Sequence, residues 1–180
     1  MREKSRQKIL AAALKLFAEK GYATTSIDDV VRSARVSKGS AYHYFTSKDA
    51  LLQAVVLDGL RALGSLMERV ETEQSPNGKL AALINISFEM LGADTKVWKL
   101  YFSLLTQTTL PRSVRKVLEA VIEQMFVHME KLFKDIGTQD PGGESKMLAA
   151  MLDGVFLHYL LVGSAYPLDD MRRKILSRYI

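Results

Sequence analysis

Apolar residues along the chain recur at the three- and four-residue spacing of helices. Ile9, Ala13, Leu16 and Phe17 fit one helical face, and Gly21 in "KGY" supplies a stop, so a first helix should end near residue 20. Thr25, with Asp28 three residues on, has the form of a capping box ahead of Ile27, Val30 and Val31, and Asp28 and Asp29 favour the positive end of a helix over about 26–33. Ser37 starts a short third helix over about 38–44, and Ser47 caps a long periodic segment beginning "KDALLQAVV". Turn chemistry near 73–79, 91–96, 108–113, 135–145 and 164–170 then delimits helices of about 48–72, 79–91, 95–107, 113–135, 145–163 and 168–180. The expected fold class is all-α.

Only "SARVS" separates the second and third helices, which suits two short helices crossing steeply as a helix-turn-helix. In that geometry the N-terminal residues of the second helix of the pair enter the major groove, and flanking helix ends meet phosphates. The segment "SKGSAYHYFTSK" is written accordingly. Lys38, Ser40 and His43 offer donors and acceptors to base edges or phosphates, and Gly39 lets the backbone approach closely. Tyr42 and Tyr44 combine apolar contact with a hydroxyl, Lys48 adds charge at the next helix start, and Phe45 is assigned to the small core.

Charge supports an anionic partner. Residues 1–50 hold ten Lys and Arg against five acids, whereas the remainder holds fifteen of each, so the whole net charge of +5 lies at the N-terminal end. A nucleic acid or a lipid surface would meet it, and a solvated basic face with no partner is the bland alternative.

The run "ILAAALKLFAEKGYATTSIDDVVRSARVSKGSAYHYFTSKDALL", residues 9–52, resembles the DNA-binding domain of the TetR/AcrR family of bacterial transcriptional regulators. The similar features are "LFAEKGY" ending the first helix, "TTSIDDV" opening the second, "VSKGSAYHYF" as recognition helix and "SKDALL" opening the fourth. The resemblance implies a helix-turn-helix domain over 1–47 and a helical ligand-binding and dimerisation domain over 48–180. It further implies a homodimer on a palindromic double-stranded DNA operator, usually a repressor released by a small molecule. Carried over by position, recognition-helix contacts fall on Lys38, Gly39, Ser40, Tyr42, His43 and Tyr44, with phosphate contacts on Ser26 and Lys48. Two positions depart from the family pattern. Arg35 stands where glycine is usual, which costs roughly 1–2 kcal/mol if the residue is left-handed, and Ala41 stands where a larger apolar residue is common.

The second part carries no catalytic constellation. His128 and His158 lack metal-site spacing, the serines lack a nucleophile elbow, and "GTQDPGGES" lacks the lysine and strand context of a phosphate loop. No enzyme, metal or cofactor is expected. Seven of the eight methionines and the only tryptophan lie here, and "KVWKLYFSLL" with "VIEQMFVHMEKLF" brings rings and thioethers onto neighbouring helices. Such stripes suit plain core; with the resemblance they point to a pocket lined by Leu63, Met67, Phe88, Trp98, Tyr101, Phe102, Met125, Phe126, His128 and Met129. Tyr101 and His128 would be its polar handles, and without a cluster of like charge its small ligand should be mainly apolar.

"SKMLAAMLDGVFLHYLLVG" is apolar around nearly its whole circumference and needs burial on all sides. It is either the central helix of a monomer or a dimer helix, and the resemblance favours the second. Ala150 and Gly154, four apart, would admit a partner backbone, with Met147, Met151 and Phe156 supplying mass.

Composition narrows the remaining choices. With no cysteine there is no disulfide or thiolate chemistry. Lys15 interrupts the N-terminal apolar run, no cleavage site follows, and no apolar segment approaches the ~20 residues needed to span a bilayer. A cytoplasmic, soluble protein with no membrane partner is expected. A helical interaction protein whose basic end meets membranes or proteins is the competing class.

Overall fold

The computed structural model describes residues 2–180, without the side chains at 2, 60–63, 65 and 66. It is helical throughout, with no strand among the described residues. The order is α1 (Arg2–Lys20), α2 (Ile27–Ala34), α3 (Lys38–Tyr44), α4 (Lys48–Glu71), α5 (Pro76–Ala93), α6 (Thr95–Leu105), α7 (Arg112–Ile136), α8 (Pro141–Val162), a 3-10 turn (Gly163–Ala165) and α9 (Leu168–Tyr179). Two starts lie earlier than apolar periodicity implies. Ser75 caps α5 and Asp140 caps α8, each with proline in the first turn, where its missing N–H costs nothing.

The chain forms two compact units, Met1–Arg61 with Lys96–Glu119, and Ala62–Thr95 with Ala120–Ile180. The first unit thus joins residues 48–61 and 96–119 to the segment 1–47. The reason is a shared core: Ile9, Ala13, Phe17, Val30, Ala41, Phe45, Leu51 and Leu52 form one cluster with Leu100 and Leu104 of α6 and Val114 and Leu118 of α7. In the second unit Phe88 of α5 meets Phe156 of α8 edge-on at 5.1 Å, and Met129, Leu132 and Phe133 of α7 are buried.

The cap of α2 differs from the sequence expectation. Its N-cap is Ser26: the hydroxyl accepts from the Asp29 N–H at 3.1 Å, and the Ser26 N–H donates to the Asp29 carboxylate at 3.0 Å. Thr25 turns inward instead, and its buried hydroxyl donates to the carbonyls of Gly21 (2.8 Å) and Leu16 (3.3 Å), tying α2 to the end of α1. The pattern admitted both readings because adjacent hydroxyl residues precede adjacent aspartates.

Arg35 is left-handed, φ 54° and ψ 47°, and it alone among the described non-glycine residues has positive φ. It closes α2 by donating its N–H back to carbonyls of the last turn. That conformation costs an arginine about 1–2 kcal/mol relative to glycine.

One expectation about membranes needs correction. The stretch Pro141–Ala165 has a mean hydropathy of 1.6 and is long and apolar enough, by length and composition, to cross a bilayer. Asp153 breaks the unbroken apolar run, but an average over the helix tolerates it. That carboxylate is half-buried, and desolvation pushes its pKa up to about 6. A folded value above the unfolded one means that the charge opposes folding: the penalty is absent at acid pH and grows as pH rises from about 4 through 6. Asp153→Asn should therefore stabilise the protein at pH 7 by about 1 kcal/mol, after allowance for solvent screening. The gain should vanish at pH 4, as urea unfolding at both pH values would show.

Candidate nucleic-acid interface

The reading helix is short and well capped. Ser37 accepts the Ser40 N–H at 3.2 Å, which satisfies one of the free donors at the start of α3. Ala41 and Phe45 point into the core, and Tyr44 is half-buried against it. Lys38, Gly39, Tyr42 and His43 lie on the opposite, exposed face, while Ser40 is intermediate. Tyr42 is 46% exposed, a large ring left in water by the fold. A Cβ added at Gly39 would meet nothing within 4 Å, so the fold itself does not require glycine there.

Two of the expected phosphate contacts already have work within the chain. Ser26 holds the cap of α2. The Lys48 ammonium donates to the carbonyls of Tyr22 (3.0 Å) and Ala23 (3.2 Å) and stands 4.4 Å from the centre of the Tyr22 ring. Tyr22 in turn donates its hydroxyl to Asp49, and burial followed by that carboxylate raises its pKa well above the usual tyrosine value. Lys48 thus locks the start of α4 to the turn after α1. Lys38 is also engaged, with both oxygens of Asp28 at 2.8 and 3.0 Å, and that hydrogen bond and charge raise its pKa. Pairing between α2 and α3 through Asp28 was not visible in the sequence, where Asp28 reads as a helix-start acid.

The remaining expected site residues are distributed between the units. Trp98, Tyr101 and Phe102 belong to the first and form one half-buried aromatic cluster on α6, with ring centres 5.1–6.4 Å apart. Met67, Phe88, Met125, Phe126, His128 and Met129 belong to the second; the side chain of Leu63 lies outside those described. Phe88 and Met129 are buried as core, and His128 stands 3.9 Å from Glu71. His128 also borders an open groove of about 570 Å³ with Ala120, Glu123, Gln124, Val127 and Lys131. On α8, Met147, Ala150, Met151 and Gly154 are exposed or half-exposed, whereas Phe156 is wholly buried against Phe88 and packs its own chain. No cluster of three metal-ligating side chains occurs among the described residues.

A capped seven-residue helix presenting a polar face, held by α1 and α2 in one core, defines a helix-turn-helix DNA-binding protein. Residues 9–55 match the sequence profile of the bacterial regulatory proteins of the tetR family. Residues 9–55 therefore carry a DNA-binding domain of that family's type, and over nearly its whole length the chain is similar to transcriptional regulators. Among its relatives, the HTH-type transcriptional regulator BetI of Ectopseudomonas mendocina is 27% identical over 175 residues, covering 93% of this chain and 88% of that protein. BetI of Burkholderia mallei is 27% identical over 184 residues, covering 100% and 93%. The fold is shared with the regulatory protein TetR of Rhodobacter sphaeroides (TM-score 0.80, 22% identity, 98% and 99% of the two chains). It is shared too with a transcriptional regulator of Saccharomonospora viridis solved in complex with choline (TM-score 0.84, 20% identity, 96% and 94%).

Proposed function

We propose that this regulator is a repressor that binds a palindromic operator as a homodimer and is released by a small molecule. The observation that carries the reading is the outward face of α3. Lys38, Gly39, Tyr42 and His43 contribute little to the core, so their polar groups and the bare backbone at Gly39 remain for a major groove. Ser26 and Lys48 position the elements around it and stand at helix starts where phosphates would pass.

Dimerisation is supported by α8. Met147, Ala150, Gly154, Leu157 and Leu161 recur at spacings of three and four, the seam of a coiled coil, with Met147 52%, Leu157 41% and Leu161 75% exposed. A second copy related by a two-fold axis would cover that seam and place two reading helices one helical turn apart or a multiple of it.

Release is supported by α6. Leu100 and Leu104 sit in the core of the DNA-binding unit, while Trp98, Tyr101 and Phe102 face the other way on the same helix. A ligand that displaced the aromatic face would move the buried one. Coupling between two such sites is typically about 1–3 kcal/mol. A mainly apolar ligand fits the uncharged character of these rings. A cationic ligand is the second reading, favoured by the three rings themselves, whose faces attract quaternary ammonium groups of the kind bound by the Saccharomonospora regulator.

Selection of bound duplexes from a random pool tests the reading directly. A palindrome should emerge, and the logarithm of its affinity should fall with the logarithm of salt, with a slope of about −0.9 per phosphate neutralised. Lys38→Ala and His43→Ala should each change the selected sequence; an unchanged site would remove α3 from the reading role. Apolar or quaternary ammonium ligands should change Trp98 fluorescence and release the duplex over one concentration range.

A further inference from the structure

The reading face carries one group that a phosphate-binding surface should exclude, the Asp28 carboxylate. It stands in the first turn of α2, and its two oxygens lie 2.8 and 3.0 Å from the Lys38 ammonium at the start of α3. The two side chains are 57% and 59% exposed, and exposed ion pairs add little to fold stability. Nor does α2 need Asp28 as its cap, since Ser26 and Asp29 close the capping box between them. The two helices are already joined through Val30, Ala34 and Ala41 in the core. Stability therefore accounts for little of the pair.

Against DNA the carboxylate has a definite cost, because it cancels one positive charge on a surface that must approach phosphates. It also has a definite use. A carboxylate accepts from the cytosine amino group in the major groove, and a lysine donates to guanine O6 or N7. The ammonium has three donors, so Asp28 can occupy part of it while the rest turns to an acceptor on a base edge. A phosphate oxygen, by contrast, has to compete with Asp28 for the same charge. We propose that Asp28 and Lys38 act together as a donor–acceptor reader of a G·C pair, and that Asp28 sets sequence specificity by keeping Lys38 from binding phosphates indiscriminately. This rests on the DNA-binding role of α3 argued above.

The test compares the selected duplex, the same duplex with each base pair replaced in turn, and a random duplex, at several salt concentrations. The proteins are wild type, Asp28→Asn, Lys38→Ala and the double variant. Asp28→Asn should tighten the random duplex about tenfold, steepen its salt slope by about 0.9, and lower the ratio of selected to random affinity at least tenfold. With Lys38 already alanine, Asp28→Asn should change that ratio several-fold less than it does with Lys38 present, because only the cytosine contact is left to lose. Asp28→Glu keeps the charge but moves the carboxylate outward; it should hold the wild-type salt slope while losing preference at one G·C position. It also serves if Asp28→Asn folds poorly. Equal changes on selected and random duplexes, or wild-type discrimination in both Asp28 variants, would overturn the proposal. Wild-type protein that prefers no duplex would instead remove the DNA-binding reading itself, and the pair's role with it.

Discussion

Leu104→Ala should destabilise the DNA-binding unit by about 2–5 kcal/mol, the usual cost of deleting a buried leucine and leaving a cavity. Leu104 is 2% exposed and lies some sixty positions from the reading helix along the chain, yet it shares a core with Phe17, Ala41 and Leu52. Duplex affinity should fall with the folded fraction as temperature rises, well below the wild-type midpoint. Its neighbour provides the control: Leu105 is 43% exposed on the other side of α6. Leu105→Ala should change stability by no more than about 0.5 kcal/mol. Thermal unfolding followed by near-ultraviolet circular dichroism, with duplex binding at each temperature, checks both. Equal effects from the two substitutions would dissolve the link between α6 and the reading helix on which the release mechanism stands.

Gly154→Leu should convert the regulator to a monomer and lower operator affinity by two or more orders of magnitude, because one reading helix alone loses the second half-site. A Cβ at Gly154 meets nothing within 4 Å in the isolated chain, so the leucine starts into open space and the fold should survive. Only a partner backbone approaching the α8 seam would clash with it. Light scattering gives the mass and a melting curve confirms the fold. A stable dimer that still binds the operator would place the interface elsewhere.

These two substitutions differ in how far the sequence alone could have justified them. Gly154 was visible as a small residue on an apolar helix, and the seam around it follows once Phe156 is known to face inward. Nothing near Leu104 announces a DNA-binding role, since α6 reads as one more amphipathic helix in the second part of the chain. The expected pocket met the same difficulty. Trp98, Tyr101 and Phe102 cluster because they share one face of α6, which periodicity reveals, whereas Phe88 and Met129 are buried in their own unit, which periodicity does not. Lys48 and Lys38 were legible as charges at helix starts, but their partners, Tyr22 and Ala23 for one and Asp28 for the other, lie ten to twenty-six residues away.

The sequence by itself determined where the helices run and that α2 and α3 form a helix-turn-helix. Capping residues, glycine stops and apolar spacing act over a few residues, and each of those interactions closes within one turn. Arg35 stood out only against the glycine usual in the family it resembles, and its left-handed φ of 54° came from the fold. Tertiary structure alone decided which side of an all-round apolar helix is covered by its own chain, leaving Met147, Leu157 and Leu161 in water while Phe156 is buried. It alone brought α6 into the core of the reading unit and set Asp28 against Lys38. Burial of apolar surface has no direction along the chain, so the neighbour that supplies it is fixed only when the elements pack.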